Sequence, residues 1–525
     1  MRDFQMPGRS VVYAANGMCA TSHPLAAGAA IDILKAGGNA MDAAIAGAVL
    51  LGFCEPQMTG LGGDCFVLFK PAGGEAIHAM NGSGRAPKGL NADDLRARGL
   101  TAMPLYTADA VTMPGAVDAF CQLSADWGKI GLAATLAPAI RYAEEGVPVA
   151  PRVASDWAEA EHLLQGRARE TLLQNGKALT LGQIFRAPGQ AEVLRRIAAQ
   201  GRAGFYEGEV AQDMVGSLNA LGGTHTLEDF AGVKSEYVDA VSGPYQGVDL
   251  YEHPPNGQGA TAILLLKILS QFNIKAMDPM GADRAHIEAE ATKLAYDARN
   301  RFLADPDHTT RLTHMLSANT AAKLAALIDP KRAMAAPAPL TESVHKDTIY
   351  ITVVDRDRMA VSLIYSVYHS FGACLASDRF GINFQNRGAG FTLEKGHPNE
   401  AAGGKRPMHT IIPGMISEQG RVTMPFGVMG GAYQPTGHAR FLSNIVDFGM
   451  DPQSAMDAPR CFSGVNGMEM ERGYSDTVRA DLTARGHKVV PAEVPLGGSQ
   501  AIKLHADGFL EGASDPRKDG CALGY

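Results

Sequence analysis

Apolar residues dominate positions 25–34, between Ser22-His23-Pro24 and Gly37-Gly38. That framing predicts a helix with Ser22 as its N-cap and the glycine pair as its C-terminal stop. A second helix follows at once, with Asn39 and Asp42 at capping-box spacing, and residues 43–51 are apolar on almost every face. A helix of that kind is buried, here against a predicted sheet. Residues 65–69 form a strand-like run between Gly60-Leu61-Gly62-Gly63-Asp64 and the turn Pro71-Ala72-Gly73-Gly74. Residues 90–335 read as mostly helical, with amphipathic stretches such as 284–302 and no fixed repeat. The mixture is α/β or α+β.

Ala333-Met334-Ala335-Ala336-Pro337-Ala338-Pro339-Leu340 has the composition of an exposed linker. Residues 348–354, β-branched and aromatic, are followed by the turn Asp355-Arg356-Asp357-Arg358 and a second apolar run over 359–368. The pattern predicts a β-hairpin. With the turn centred between Arg356 and Asp357, paired residue numbers sum to about 713, which sets Thr348 opposite Tyr365 or Ser366. Two hydroxyls then lie side by side at the open end.

The 525 residues are 46% hydrophobic and 19% charged, as in a folded chain with a sizeable core. Net charge is −8 and no basic run stands out, so neither nucleic acid nor an anionic membrane is an expected partner. The longest apolar run, residues 43–53, is far shorter than the roughly 20 residues of a membrane-crossing helix. The first ten residues lack the apolar stretch of a secretory signal, and the seven scattered cysteines show no C-x-x-C spacing. These features lead to the expectation of a cytoplasmic protein with reduced thiols.

Three motifs invite chemistry. Gly257-Gln258-Gly259-Ala260-Thr261-Ala262, after a strand-like run over 248–252, fits a dinucleotide fingerprint, but Pro254-Pro255 interrupts the approach and Asp278, the acid at the right distance, sits in a Pro/Gly-rich turn. A glycine-rich helix start is the better reading. Asp305-Pro306-Asp307 offers too few oxygens for a hard cation and reads as a solvated turn. With no H-E-x-x-H, Walker A or G-x-S-x-G pattern, neither a metal nor a cofactor is expected. Gly430-Gly431, after the strand-like run 424–429, could turn two amides toward one point as an oxyanion hole does.

Ordered blocks along nearly the whole chain resemble the γ-glutamyltranspeptidases, N-terminal-nucleophile hydrolases. They are Ser22-His23-Pro24-Leu25-Ala26, Gly37-Gly38-Asn39-Ala40-Met41-Asp42, Glu55-Pro56 with Gly60-Leu61-Gly62-Gly63, and Met113-Pro114-Gly115. Further on come Tyr296-Asp297-Ala298-Arg299, Asp305-Pro306-Asp307, Asp347-Thr348, Phe371-Gly372, Gly404-Lys405-Arg406-Pro407, Gly430-Gly431 and Gly512-Ala513-Ser514-Asp515-Pro516-Arg517. The resemblance implies an α+β fold, the four-layer αββα sandwich, formed jointly by segments 1–347 and 348–525 of a precursor that cuts itself between Asp347 and Thr348. It also implies that Thr348 is the nucleophile, that its freed α-amine is the base, that Ser366 is the second hydroxyl, and that Gly430 and Gly431 supply the oxyanion hole. An α-amine has a reference pKa of roughly 7.7–8.0, which leaves a useful neutral fraction near pH 7.

The positions that bind substrate depart from the family's glutamate-specific pattern. The arginine that grips the α-carboxylate there aligns two residues from Arg85, the expected asparagine is Tyr368, and the Gln and Asp that hold the α-ammonium appear as Arg387 and Gly390. His409-Thr410 replaces a serine pair. With Tyr368-His369 upstream, this looks like the branch holding oxamate amidohydrolase and cephalosporin-acylase-like proteins. Loss of the acid removes an α-ammonium's counter-charge, and Arg387 offers a carboxylate a bidentate partner. The expected substrate is a small acidic amide, either a γ-glutamyl compound such as glutathione or an oxamate or glutaryl-type amide. Partners are then the two fragments themselves and a second αβ unit in a homodimer. The competing readings are a non-catalytic binding protein that keeps the fold and a nucleotide-dependent enzyme using residues 257–262.

Overall fold

Every residue of the strand Ile349–Val354 is buried, because its two faces meet different layers. Ile349, Ile351 and Val353 pack against the helices Pro24–Lys35 and Ala40–Cys54, while Tyr350 and Val354 face a second sheet. This computed structural model describes residues 8–335 and 348–525, so Asp347 and most of the Pro/Ala linker lie outside the described residues.

The hairpin sits at the centre of a seven-stranded sheet ordered Cys521–Gly524, Met18–Thr21, Ile349–Val354, Ala360–Ser366, Asp64–Lys70, His78–Gly82, Glu236–Val238. A second seven-stranded sheet runs Val12–Ala14, Leu510–Ser514, Gly498–Leu504, Arg421–Met429, Gly414–Glu418, Val248–Glu252, Val241–Tyr245. Pairing within both sheets is antiparallel throughout. The strand Arg421–Met429 repeats the two-faced pattern. Met424, Phe426 and Val428 meet the helices Gly259–Leu269, Ala282–Phe302 and Gln434–Val446, and Gly427 and Met429 face Tyr350. A Cβ at Gly427 would enter the Tyr350 ring, so the glycine permits this close approach of the sheets. Helix, sheet, sheet and helix layers make the expected αββα sandwich. Segments before and after position 348 both contribute strands to each sheet, so neither could bury its apolar faces alone.

Several local expectations are corrected. His23, not Ser22, caps the first helix, its Nδ1 accepting from Leu25 N at 3.3 Å, and Ser22 Oγ instead donates to buried Glu55 Oε2 at 2.9 Å. Desolvation raises the Glu55 carboxyl to about 7. The Asn39–Asp42 capping box forms, and all fifteen residues of Ala40–Cys54 are buried. The mostly helical stretch contains three sheet strands after residue 235: Val248–Glu252 is the strand-like run expected before the glycine-rich turn, and the short patterns of Glu236–Val238 and Val241–Tyr245 are broken up by turn residues. Asp305 is not solvated. It is buried and accepts from Arg406 N at 2.6 Å. Among the described residues, no helix is long and apolar enough to cross a membrane.

Candidate active site

Paired numbers in the hairpin sum to 714, from Ile349↔Tyr365 to Val354↔Ala360, so the next pair outward is Thr348 and Ser366. Their side chains share the inter-sheet face with Tyr350 and Ile364 by the two-residue period of a strand. Thr348 Oγ1 lies 3.2 Å from Ser366 Oγ, and both residues are buried. Tyr368, with φ +82°, turns its N–H back onto Ser366 Oγ at 2.9 Å. That left-handed backbone is uncommon for a bulky residue and redirects the chain out of the strand.

The same cross-strand row extends to Asp64, paired with Ser366 on the neighbouring strand. Its Oδ1 accepts from Gly84 N at 3.0 Å, Gly115 N at 2.8 Å and Gln385 Nε2 at 2.9 Å, and its Oδ2 from His409 Nε2 at 2.8 Å. One carboxylate thus ties together four segments around the hydroxyl pair. Burial and the Arg387 charge lower His409 to about 4; its Nε2 hydrogen-bonds Asp64 Oδ2, and its Nδ1 lies 3.0 Å from Asn256 Nδ2 and 2.8 Å from Pro407 O. Sequence reasoning passed over Asp64 and Asn256. An acid opening an otherwise apolar strand, directly after a glycine-rich turn, was the available signal.

Arg387 is fully buried. Its Nη1 donates to Thr410 Oγ1 at 3.1 Å and its guanidinium lies over the Tyr368 ring, 4.3 Å from the centroid. Nε and Nη2, the edge that fits a carboxylate bidentately, have no partner among the described residues. Desolvation lowers its pKa to about 10. A cleft of about 530 Å³ opens at Tyr368, walled also by Gly390, Thr392, Arg299 and Met408. His369 sets its ring edge-on to Tyr368 at 4.6 Å, and its N–H donates to Asn386 Oδ1 at 3.0 Å. Arg85 is not brought to this group. Its guanidinium turns to Asp305, 3.5 Å away, and to Gly404 O at 3.1 Å, beside a smaller pocket of about 180 Å³.

Gly430 and Gly431 follow the strand that packs on Tyr350. Met429 clusters with Tyr350 at one end of the sandwich, whereas Val354 clusters with Val422 at the other. The two strands therefore run in opposite senses across the sheet interface, and Gly430-Gly431 lie at the Thr348 end. Gly430 has φ +117° and Gly431 +54°, a left-handed pair that glycine adopts readily. Gly431 opens a 3₁₀ turn, so its amide has no acceptor within that turn.

Residues 257–262 form the glycine-rich start of the buried helix Gly259–Leu269. Away from the hairpin, His286, Glu290 and His487 converge, but Glu290 already holds Lys293 Nζ at 2.7 Å and Met334 N at 2.8 Å, and the imidazoles hydrogen-bond each other at 2.7 Å. The ammonium supplies the positive charge there.

Residues 26–525 match the family described as gamma-glutamyltranspeptidase. The chain is 36% identical over 520 residues to the glutathione hydrolase-like YwrD proenzyme of Bacillus subtilis (strain 168), covering 97% of this chain and 98% of that protein. It is 34% identical over 531 residues to the oxamate amidohydrolase proenzyme of Klebsiella pneumoniae subsp. pneumoniae, with 97% and 98% covered. Its structure is similar to the crystal structure of cephalosporin acylase from Bacillus halodurans, at TM-score 0.93 and 38% identity, covering 100% of this chain and 99% of that one.

Proposed function

Because the chain belongs to the γ-glutamyltranspeptidase family, we propose that it is a self-processing amidohydrolase whose nucleophile is Thr348 and whose substrate is a small amide carrying a carboxylate on its acyl part. In processing, Thr348 Oγ1 attacks the Asp347 carbonyl, the peptide bond shifts to an ester, and water resolves it into fragments of 347 and 178 residues. The freed α-amine then takes the Thr348 hydroxyl proton as the oxygen attacks the substrate carbonyl. Ser366 steadies the attacking oxygen, and the Gly430 and Gly431 amides receive the developing oxyanion. Collapse breaks the C–N bond, the α-ammonium gives its proton to the leaving amine, and water hydrolyses the ester. The fragments remain one body because they share both sheets.

The observation that carries the substrate class is the unpartnered Nε/Nη2 edge of buried Arg387. A buried guanidinium with a free fork is costly unless a ligand completes it. A substrate carboxylate would do so, with Tyr368, His369, His409 and Thr410 framing it. An α-ammonium finds less support: Gly390 offers no side chain, and Asp64 is engaged by four donors. Oxamate or glutaryl-type amides are therefore expected to outrun γ-glutamyl compounds. The cytoplasm is the proposed compartment, on sequence features alone.

Intact-mass analysis of wild type and Thr348→Ala, each then given oxamate, a glutaryl amide and glutathione, tests the reading. Splitting at Asp347-Thr348 in wild type only, with consumption of an acid amide, is the expected result. An unsplit wild type that consumes none of the three would refute it.

A further inference from the structure

In the Gly257-Gln258-Gly259 turn the central side chain is fully buried and fully used. Gln258 Nε2 donates to Thr410 O at 2.6 Å and to Gly431 O at 3.0 Å, and its Oε1 accepts from Arg299 Nη1 at 2.8 Å. A guanidinium only donates and a carbonyl only accepts, so the amide can sit in one orientation alone. Gly259 lets the helix start this close, since a Cβ there would meet Glu252 and the His253 backbone.

Arg299 is itself held. Its Nε and Nη2 donate to Asn300 Oδ1 at 3.0 and 2.9 Å, and it lies over the Tyr296 ring at 4.5 Å. Tyr296 in turn donates its hydroxyl to Ala432 O, the next carbonyl of the same turn. One face of the helix Ala282–Phe302 thus braces Gly431 through Gln258 and Ala432 directly. Such bracing matters because two successive left-handed glycines have no side chains to pack and the greatest backbone freedom of any residues.

We propose that Gln258, oriented by Arg299, is a positioning residue for the oxyanion site. By gripping the Gly431 and Thr410 carbonyls with one amide, it fixes the Gly430-Gly431 amides relative to Arg387, which Thr410 Oγ1 supports. The reacting carbonyl and the substrate carboxylate are thereby registered to each other. This rests on the amidohydrolase reading above.

The test compares wild type with Gln258→Met, which keeps length and loses both donors, and Gln258→Glu, which keeps shape and the Arg299 partner. Two inhibitors are titrated beside the kinetics. One is the boronic acid in which B(OH)₂ replaces the substrate carboxamide, so that the Thr348 oxygen adds to boron and forms a tetrahedral anion. The other is the product acid. Misplaced amides weaken only tetrahedral species. Both variants are expected to split, to lose roughly 10- to 100-fold in kcat with KM within about threefold, to lose boronate affinity by the same factor, and to bind the product acid as wild type does. A folded, split variant with wild-type kcat overturns the inference, as does one that loses product-acid affinity in parallel with boronate affinity. Failure of both variants to fold also overturns it, by making Gln258 a folding residue. A wild type that neither splits nor turns over an amide sinks the amidohydrolase reading instead.

Discussion

Replacing Arg387 with methionine should move activity and stability in opposite directions. The guanidinium is buried with its Nε/Nη2 edge unmet among the described residues, and burial pulls its pKa down to about 10. That depression equals about 3 kcal/mol held against the folded state. The group is a base whose folded pKa is lowered, so at every pH below about 10 both states are protonated and the penalty is complete; it is relieved only as pH rises above 10. An apolar side chain of similar length removes it and forfeits the bond to Thr410 Oγ1, about 1 kcal/mol. Arg387→Met should therefore be about 2 kcal/mol more stable, read as a higher urea midpoint at pH 7.5. With substrate the balance reverses, because two charge-assisted hydrogen bonds contribute about 1.5–3 kcal/mol each. Their loss lowers kcat/KM for glutaramate roughly 10²- to 10⁴-fold, while butyramide, which lacks the carboxylate, should change by less than about threefold. The decisive readout is the ratio between the two amides. Equal losses on both amides, together with a lower urea midpoint, would make Arg387 a structural residue and refute the argument.

Three further outcomes follow from the geometry. Ser366→Ala removes a partner of the Thr348 hydroxyl and an acceptor of Tyr368 N–H, so kcat should fall roughly 10- to 100-fold, in line with loss of one well-placed group; stopped-flow rates near wild type would contradict the role given to it. Glu55 has its folded pKa raised to about 7, so the fold retains a proton that the unfolded chain releases, and stability is highest below the unfolded value and lost as pH rises through 7. Glu55→Gln should flatten that loss by up to about 3 kcal/mol between pH 5 and pH 8; urea curves that stay parallel to wild type at the two pH values would exclude Glu55 as its source. Gly427→Ala drives a methyl into the Tyr350 ring between the sheets and should destabilise by about 1–3 kcal/mol, with the hydroxyl pair at the end of the same strand displaced and processing slowed. Wild-type splitting in that variant would mean the sheets absorb the methyl without moving Thr348.

Much of this site is legible in one dimension because it lies on a hairpin. A strand alternates with a period of two, so a turn at Asp355-Arg356-Asp357-Arg358 places Thr348 opposite Tyr365 or Ser366 by counting alone, and the observed register differs from the count by one. The Asn39–Asp42 cap and the all-apolar helix after it are equally local, since they depend on residues within four positions of each other. Family blocks pointed to Gly430-Gly431 as the expected oxyanion pair and to the αββα layering, which periodicity cannot supply.

What stayed hidden depends on groups distant in sequence. Asp64 and His409 meet across 345 positions, and Gln258 reaches Gly431 across 173. The sequence already singles out Arg387 as a bidentate partner for a carboxylate; only packing shows that it is buried, with Nε and Nη2 unpaired among the described residues. Arg85, equally charged and placed near a family motif, turns to Asp305 instead. By itself the sequence determined the two-faced strands, the capped helices and the adjacent hydroxyls, because those follow from neighbour spacing and backbone geometry. The tertiary structure alone decided which buried charges are satisfied and which are left unpaired, because desolvation and counter-charge belong to the surroundings of a group and not to the residue.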